Sequence, residues 1–348
     1  MKLLLLNPFD AYAGSQRIGR DMVRLLAAAG HDVRVRLGFG GGGFLSDLPE
    51  TRTDLGISNV PIRKLLYPLW ALLVSLPVAI AALRGRIIWA NTVYAALPVV
   101  LAALLCPRRV AVHLHEATFA RPFAIILRLL AWRGVPIVCV SADHAARIGL
   151  PAMVLYNPVS LPDRDTPSAG DRLLFVGTTQ PIKGFALFVA VGEKLDDLPL
   201  RKTAYLSDEA RHDRALVARA RQAGIEIVFG EANPQMLYRD GFLLLQASDP
   251  ALWSETFSLV AAEAMARLVP VAGAGTTVLP EVLGDALAFA APSRDPGEIA
   301  GAIRALHADP ARYAALRAAC ASRRMTFSQG AFLERLEDML RTMNGRPS

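Results

Sequence analysis

Short apolar segments of strand length alternate with helical segments along this chain, and this order constrains the fold more than any other feature. Residues 3–6 predict a buried strand, and residues 15–29 carry apolar side chains at helical spacing before Gly30, a common helix stop. Residues 33–37 then alternate between apolar and polar side chains, as a strand does. A strand, a helix and a strand within about forty residues form a βαβ unit, so we predict a parallel sheet.

The same alternation continues through both halves of the chain. Further strand signals in the first half lie at 87–89, 110–114, 137–140 and 154–156. Those in the second half lie at 173–176, 202–206, 226–229, 242–245 and 269–272. Residues 162–170 are rich in proline and charge and predict a linker, whereas 327–343 form an amphipathic helical pattern. We therefore predict two α/β domains, 1–163 and 164–327, and a C-terminal helical segment, 328–348.

The composition suits a folded protein that binds anionic partners. The chain has 348 residues, 53% of them hydrophobic, and a formal net charge of +7. This hydrophobicity excludes a disordered chain, and the charge suits phosphorylated ligands, anionic lipid or nucleic acid. Aromatic residues make up 7% of the chain and do not interleave with basic ones. We therefore predict no nucleic-acid partner.

The cysteines and the N-terminal residues favour a cytoplasmic protein. There are 3 cysteines, without a C-x-x-C pattern and without histidines at zinc-ligand spacing. They are typical of buried thiols in a reducing compartment. The run of leucines after Lys2 has the length of a buried strand and not that of a signal peptide.

Residues 65–83 carry no charge and are long enough for a transmembrane helix. Pro68 and Pro77 should interrupt such a helix, and the strand at 87–89 is needed in the same sheet as the first strand. We therefore favour a buried or interfacial helix over a spanning one. Basic residues flank the segment and would help it rest on an anionic lipid surface, namely Arg63, Lys64, Arg84 and Arg86.

Two carboxylates flank the start of another apolar helical segment. Glu255 should lie in the loop that opens this helix, and Glu263 should lie about two turns further in, at ~3.6 residues per turn. The backbone N–H groups of Phe257, Ser258 and Leu259 then lack helical partners and point at the same space. Such a helix start suits an anion, especially a phosphate.

Alternatives stand beside each of the candidate residues. Glu263 and Arg267 are spaced i,i+4, so Glu263 could instead form a surface ion pair. Lys183, in the loop 177–184 between a predicted strand and helix, suits a diphosphate but could be a solvated lysine in a turn. His115 closes the strand 110–114 but could be a hydrogen-bonded core histidine.

Other candidates also lie where predicted strands end, the edge at which ligands bind open α/β sheets. Gly14 lies in the loop between the first strand and the first helix, where only glycine lets backbone approach a ligand closely. Asn91 and Tyr94 follow the strand 87–89 and are weaker candidates for an acceptor side. His113 lies within its strand, which makes it a weaker candidate than His115.

The pattern Glu-Thr-Phe-Ser-Leu…Glu-Ala-Met-Ala from Glu255 to Ala266 resembles the Glu-x7-Glu motif of retaining GT-B glycosyltransferases of family 4. The strand ending in His115-Glu116 is similar to the family's strand ending in His-Asp or His-Glu. The resemblance covers most of the chain, through Asn157-Pro158-Val159 to the last helix. It implies an α/β GT-B fold, with two Rossmann-like parallel-sheet domains facing across a cleft and the C-terminal helix returning to the N-terminal domain.

The resemblance also implies roles for residues of the second half. Glu263 would hold the ribose hydroxyls of a nucleotide-sugar donor, such as a UDP- or GDP-sugar. Lys183, with the amides of Ser258 and Leu259, would hold the diphosphate, and Glu255 would orient the donor sugar. The departing phosphate oxygen would take the acceptor's proton, so the resemblance implies no protein base, no metal and no other cofactor.

In the first half, the resemblance places His115 beside the donor sugar and Gly14 beside the diphosphate. The chain departs from the family at Thr178, where an arginine usually contacts the diphosphate, and one of two glycines usual near Gly14 is alanine. Thr178 and Thr179 hydroxyls, or an arginine from elsewhere, could compensate. Asp163-Arg164-Asp165 matches the D-x-D metal motif of another glycosyltransferase fold, but it lies in the predicted linker and is interpreted as solvated charge.

The expected function is sugar transfer to a glycan or lipid-linked acceptor, in cell-surface polysaccharide or lipopolysaccharide synthesis. The apolar segment 65–83 and its basic flanks suggest peripheral attachment at the cytoplasmic face of a membrane. Two alternatives remain. The chain could be a GT-B-fold nucleotide-sugar epimerase, which needs no acceptor, or a non-catalytic nucleotide-sugar-binding protein, which would bind the donor without turnover.

Overall fold

The chain divides into two compact units. The computed structural model describes residues 1–40, 42–164, 170–207, 212–274 and 278–345. Unit 1 comprises Met1–Pro158 and Gln329–Ser348, and unit 2 comprises Val159–Ser328. Most of the predicted linker, including Asp165 of the D-x-D pattern, lies outside the described residues.

Unit 1 is built on a parallel sheet. Its described strands are β1 (Lys2–Phe9), β2 (Asp32–Phe39), β3 (Thr51–Leu55), β4 (Ile87–Ala90), β5 (Val110–Leu114), β6 (Ile137–Cys139) and β7 (Ala152–Val154). Its first helices are α1 (Gly14–Ala28), α2 (Val60–Leu83), α3 (Val100–Leu105), α4 (Arg121–Trp132) and α5 (Ala142–Ile148). The strand order β3-β2-β1-β4-β5-β6-β7 reverses between β1 and β4, which makes the carboxyl ends of these strands a topological switch point.

Unit 2 contains a second parallel sheet. Its described strands are β8 (Arg172–Gly177), β9 (Arg201–Leu206), β10 (Ile225–Phe229), β11 (Gly241–Gln246), β12 (Val271–Gly273) and β13 (Leu287–Ala290). Its helices are α6 (Phe185–Glu193), α7 (Arg214–Gln222), α8 (Pro234–Leu237), α9 (Leu259–Ala266), α10 (Leu279–Leu283), α11 (Pro296–His307) and α12 (Pro310–Arg323). The order β10-β9-β8-β11-β12-β13 places the switch point between β8 and β11.

The C-terminal helix α13 (Gln329–Met343) belongs to unit 1. Its apolar face is buried against α1 and the sheet, in a cluster that includes Phe332, Leu336, Met22 and Leu5. The predicted return of the last helix to the N-terminal domain is therefore confirmed.

Helix α2 is half-buried in unit 1. Tyr67, Trp70 and Val74 belong to its buried face, and a row of leucines remains exposed on the other side. Among the described helices it is long and apolar enough to cross a membrane, and 33% of its most apolar window is buried. Its inner face packs on the sheet of unit 1.

The prediction that Pro68 and Pro77 interrupt this segment is wrong, because the helix continues through both. Each proline removes one backbone N–H and so leaves the carbonyl four residues earlier without its helical donor. Both prolines lie on the exposed side of α2, as do Lys64 and Leu73, whose carbonyls are affected. Water can reach these carbonyls, so the helix tolerates the prolines.

Candidate functional site

The carboxyl ends of β8 and β11 bring together two of the predicted residues. Lys183 follows β8 and Glu255 follows β11, so both lie at the switch point of unit 2. Lys183 Nζ lies 3.0 Å from Glu255 Oε1. The fold thus joins an ammonium and a carboxylate that are 72 residues apart in sequence.

Glu255 is buried and firmly held. Besides Lys183, its Oε1 accepts hydrogen bonds from Ser248 Oγ at 2.8 Å and from Gln246 Nε2 at 3.2 Å. A buried carboxylate requires such partners because burial removes its hydration. The Lys183 side chain is 35% exposed, whereas that of Glu255 is only 7% exposed. Lys183 therefore neutralises Glu255 while its side chain stays partly exposed.

Gly184 sets the position of the Lys183 loop. The residue has a φ of +70°, and a Cβ at this position would lie 1.9 Å from the carbonyl oxygen of Ala247. Glycine is required on both counts, because its backbone adopts positive φ freely and lacks a Cβ that would clash. The segment after β8 can therefore pack directly against the segment after β11.

Helix α9 begins as the sequence predicts, with Glu255 in the preceding loop. Ser258 is the N-cap, and its side chain accepts a hydrogen bond from the backbone N–H of Ala261. Phe257, just before the cap, packs its ring against Phe327 at 5.7 Å between centroids. The N–H groups of Phe257, Ser258 and Leu259 thus belong to the helix start.

Glu263 lies in the second turn of α9 and is only 4% exposed. Its Oε2 accepts a hydrogen bond from the Tyr238 hydroxyl at 3.3 Å. Arg267 donates to the backbone carbonyl of Glu263 at 3.1 Å and stacks over the Tyr238 ring. A surface ion pair is the wrong interpretation of the i,i+4 spacing, since both Glu263 and Arg267 are buried.

Thr178 and Thr179 have different surroundings. Thr178 Oγ1 accepts from the N–H of Gln180 at 3.3 Å. Thr179 is buried, and its N–H donates to His212 Nδ1 at 3.2 Å while its hydroxyl accepts from the N–H of Asp213 at 2.9 Å. Because His212 Nδ1 accepts a hydrogen bond from an N–H group here, a neutral ring carries its proton on Nε2. The loop after β8 is therefore tied to the segment before α7.

Arg294 is a structural residue of this site that the sequence did not reveal. Its Nη1 donates to the carbonyl oxygens of Ala247, Ser248 and Ala274 at 2.7–3.0 Å. It holds together the segments that follow β11 and β12, and its own φ is +56°. The arginine sits in a short turn without a recognisable motif, so no local pattern could have indicated its role. Its Nη2 lies 3.7 Å from Asp249 Oδ2, so the charge of its guanidinium already has a carboxylate partner.

In unit 1, His115 and Asn91 meet at the carboxyl ends of β5 and β4. His115 Nε2 lies 3.4 Å from Asn91 Oδ1, and Asn91 Nδ2 donates to the carbonyl of Ser15 at 3.0 Å. Gly19 makes room for this amide, since a Cβ there would lie 2.8 Å from Asn91 Nδ2. Asn91 is fully buried and links the first helix to His115.

The surroundings of His115 keep its ring neutral. Burial, and to a smaller extent His144, lowers the pKa of His115 to about 3. Burial also lowers the pKa values of His113 and His144, and it raises that of Glu116. At neutral pH His115 can therefore donate or accept one hydrogen bond but carries no charge.

The remaining unit 1 candidates lie at the switch point between β1 and β4. Gly14 is the first residue of α1. Tyr94 follows β4 and is 42% exposed, so it presents its ring to solvent whereas Asn91 does not. Within the described ranges, no group of three or more His, Cys, Asp and Glu side chains is placed to hold a metal ion.

Part of the chain matches a known protein family. Residues 170–309 match the family described as Glycosyl transferases group 1. A D-inositol 3-phosphate glycosyltransferase from Kineococcus radiotolerans is 30% identical over 188 residues. That alignment covers 48% of this chain and 43% of the relative, so the matched region spans less than half of the relative's length.

Solved structures resemble the whole chain. HepE from Anabaena, solved with UDP, superposes with a TM-score of 0.80 at 18% identity over 98% of this chain and 100% of that one. Sucrose-phosphate synthase from Thermosynechococcus elongatus gives a TM-score of 0.77 at 17% identity, over 99% of each chain. HepE has also been solved with UDP-glucose. These similarities establish a GT-B-like fold.

Proposed function

We propose that this protein is a retaining GT-B glycosyltransferase of family 4 that transfers a sugar from a nucleotide-sugar donor. The observation that carries the proposal is the arrangement of Lys183, Glu255 and Glu263 around the start of α9. A cation, a buried carboxylate and a helix N-terminus meet there at a switch point, which suits an anionic ligand with hydroxyl groups.

Each of these residues has a proposed task. Glu263 accepts hydrogen bonds from the ribose hydroxyls, and Tyr238 orients its carboxylate. Lys183 and the amides of Ser258 and Leu259 hold the diphosphate and stabilise the charge that grows on it as the glycosidic bond breaks. Glu255 accepts hydrogen bonds from the donor sugar's hydroxyls.

The chemical step needs no ionisable base from the protein. The bond between the anomeric carbon and the diphosphate oxygen breaks, and the acceptor hydroxyl bonds to the same face of that carbon. The acceptor's proton passes to the departing phosphate oxygen. We propose that His115, as a neutral ring, hydrogen-bonds the donor sugar, and that neither a metal nor another cofactor takes part; the residue types around Lys183 and Glu255 suit this scheme.

We further propose that the acceptor is a glycan or a lipid-linked sugar of cell-surface polysaccharide or lipopolysaccharide synthesis. Support comes from α2, whose outer side exposes leucines such as Leu65 at 78% and Leu72 at 71%. Exposure of such an apolar face to water is unfavourable, whereas its burial at the lipid boundary is favourable. Nearby basic residues would attract anionic headgroups. The protein would then act as a peripheral protein at the cytoplasmic face of a membrane.

A thermal-shift screen against UDP-, GDP-, ADP- and dTDP-sugars tests the donor site. A ligand at one hundred times its dissociation constant stabilises a protein by ~2.7 kcal/mol. We expect one nucleotide family to stabilise the native chain and Lys183→Ala and Glu263→Ala to lose that shift. Lys194→Ala, an exposed lysine of the same unit, serves as the control and should keep the shift. Absence of any shift would contradict the proposal.

Thr178 gives the binding-only alternative a specific basis. With a hydroxyl where a second cation is usual, the diphosphate loses one charge partner, and charge on the leaving group is what the site must stabilise. A protein that binds a donor but never cleaves it would show the thermal shift without nucleotide release. Measuring released nucleoside diphosphate in the same samples separates the two functions.

A further inference from the structure

An aromatic pocket opens at the switch point of unit 1. It has a volume of about 540 Å³ and is formed by the ends of β1 and β4, the first turns of α2 and the start of α4. Four rings line it, from Phe9, Tyr67, Tyr94 and Phe123. A pocket of this size and position is typical of a site for a small ligand or part of a larger one.

The rings form a continuous wall. Phe9 and Tyr94 meet edge to face with centroids 5.8 Å apart, and Tyr94 and Phe123 do so at 5.2 Å. Phe9 and Tyr67 lie 5.7 Å apart. The Tyr67 hydroxyl donates to the carbonyl of Tyr94, and burial raises its pKa, so it stays a fixed donor. Aromatic faces held in this way pack well against an apolar chain.

Two cations lie beside this apolar wall. Arg63 is buried and donates to the carbonyls of Ile57 and Gly40, each at 2.7 Å, whereas Lys64 is exposed. Among the described residues, neither forms an ion pair with a carboxylate. Asp10 also lines the pocket, but its two oxygens already accept from the N–H groups of Ala11, Leu45 and Ser46 and from the Ser46 hydroxyl. The pocket therefore has net positive charge that is available to an anion.

The pocket is continuous with the exposed apolar side of α2. Val60 and Lys64 are one turn apart on this helix and both line the pocket, and Val60 is 56% exposed. Leu65, Leu69 and Leu72 follow on the exposed side of the same helix. A long molecule lying along α2 would thus have its apolar part on the leucines and its end at the aromatic rings and Lys64.

We infer that this pocket binds the head of an amphiphilic acceptor, an apolar chain that ends in a phosphate or diphosphate. This inference rests on the proposed function, and it identifies the part of the protein that selects the acceptor. The apolar chain explains the ring wall and the leucine row, and the phosphate explains two cations without carboxylate partners. A sugar without phosphate or an apolar chain could stack on the rings but would use neither the cations nor the leucine row.

Farnesyl diphosphate, a soluble chain-plus-phosphate molecule, is a suitable probe for calorimetric titration of the full chain. Inorganic pyrophosphate supplies the phosphates alone and farnesol the chain alone. We expect farnesyl diphosphate to bind at least tenfold more tightly than either. Lys64→Ala and Tyr94→Ala should each weaken its binding on the order of fivefold or more. The first removes a charge partner of the phosphates, and the second removes an aromatic contact with the apolar chain. Lys194→Ala should leave it unchanged.

Three results would overturn the inference. Equal binding of pyrophosphate would show a phosphate site only, and equal binding of farnesol an apolar surface only. Unchanged affinity in both the Lys64 and Tyr94 variants would place the ligand elsewhere. The thermal shift of the native chain with nucleotide sugars is measured in parallel. If nucleotide sugars give no thermal shift while farnesyl diphosphate binds, the proposed donor function is refuted. If nucleotide sugars give the shift while farnesyl diphosphate does not bind, only the acceptor pocket is refuted.

Discussion

Lys183 Nζ and Glu255 Oε1 lie 3.0 Å apart, in the segments that follow two neighbouring strands of the sheet of unit 2. The Lys183 side chain is partly exposed and that of Glu255 is buried. The pair thus brings a cation for a diphosphate and an acceptor for sugar hydroxyls to one place.

Replacing Lys183 should affect activity more than stability. Lys183→Ala removes the mobile cation. We expect the turnover rate to fall on the order of 100-fold, as it does when other hydrogen-bond donors that stabilise transition-state charge are removed. Glu255 keeps its hydrogen bonds from Ser248 and Gln246, so the free energy of unfolding should fall by only about 1 kcal/mol. Rates of donor cleavage and urea unfolding check both numbers, with Lys194→Ala as the control. A rate unchanged in Lys183→Ala would remove this residue from the mechanism.

Glu263 and Tyr238 should act together on donor affinity. Glu263→Gln removes an oxygen acceptor from the ribose site and should raise the KM for the donor about tenfold, equivalent to about 1.4 kcal/mol. Tyr238→Phe removes only the hydroxyl that orients the carboxylate. It should raise the KM by a smaller factor and add little to the effect of Glu263→Gln. Additive effects of the two changes would show that the tyrosine does not act through Glu263.

Gly184 offers a matched test of the close approach between the two loops. Gly184→Ala places a methyl group 1.9 Å from the Ala247 carbonyl oxygen at a φ of +70°, so the loop must move. Gly224 has a similar φ of +68° but open space around it. We expect Gly224→Ala to cost about 1 kcal/mol and Gly184→Ala several times more. Similar unfolding free energies for the two variants would contradict the predicted clash.

Acid should destabilise unit 1 through three histidines with lowered pKa values. The folded-state pKa values of His113, His115 and His144 are lowered, so below pH 6.5 the unfolded chain binds protons that the folded chain does not. Stability is therefore present above pH 6.5 and is lost as the pH falls toward about 3, the pKa of His115. Glu116 opposes this trend because its pKa is raised.

A substitution of His113 tests one of these histidines separately. Both of its ring nitrogens are buried without a hydrogen-bond partner among the described residues, and its ring packs on Trp89. His113→Leu should reduce the loss of stability between pH 7 and pH 5 by up to about 2 kcal/mol, since each missing proton contributes up to about 1.4 kcal/mol per pH unit. Urea unfolding at both pH values measures this, and an unchanged difference would contradict the lowered pKa of His113.

The exposed side of α2 should determine membrane attachment. In vesicle flotation we expect the native chain to float with anionic vesicles and Leu72→Glu to reduce that fraction, because a charge replaces an apolar anchor. Leu252→Glu changes a leucine of unit 2 that is 56% exposed and should float normally. No flotation of the native chain, even with anionic lipid, would refute the peripheral attachment.

Much of the fold could be predicted from local periodicity. Strands such as 110–114 coincide with β5, because buried parallel strands are continuous apolar runs. The edge strand β3 is not among the predicted strands because its sequence, Thr-Arg-Thr-Asp-Leu, is polar and none of its residues is fully buried. The seventh strand was predicted at 154–156 and lies at Ala152–Val154, since short strands flanked by apolar residues give no sharp boundary.

Site residues could be predicted only where a local sequence motif identified them. Glu255, Glu263 and Lys183 were identified from their local patterns, but the ion pair between Lys183 and Glu255 depends on sheet order, which brings β8 and β11 side by side. Ser248 and Arg294 were not predicted because their contacts are long-range and each lies in an irregular segment. The aromatic pocket likewise combines four segments that no sequence window contains.

The most direct test of the central claim follows the donor itself by proton NMR. With an α-linked nucleotide sugar chosen from the thermal-shift screen, water can serve as a slow acceptor. The anomer of the released sugar that forms first is then identified from its proton signal before the two anomers equilibrate. The account predicts release of the nucleoside diphosphate together with the α-anomer, and loss of both in Lys183→Ala. Initial release of the β-anomer, an epimerised sugar or a bound donor that is never cleaved would each contradict retaining transfer at Lys183 and Glu255.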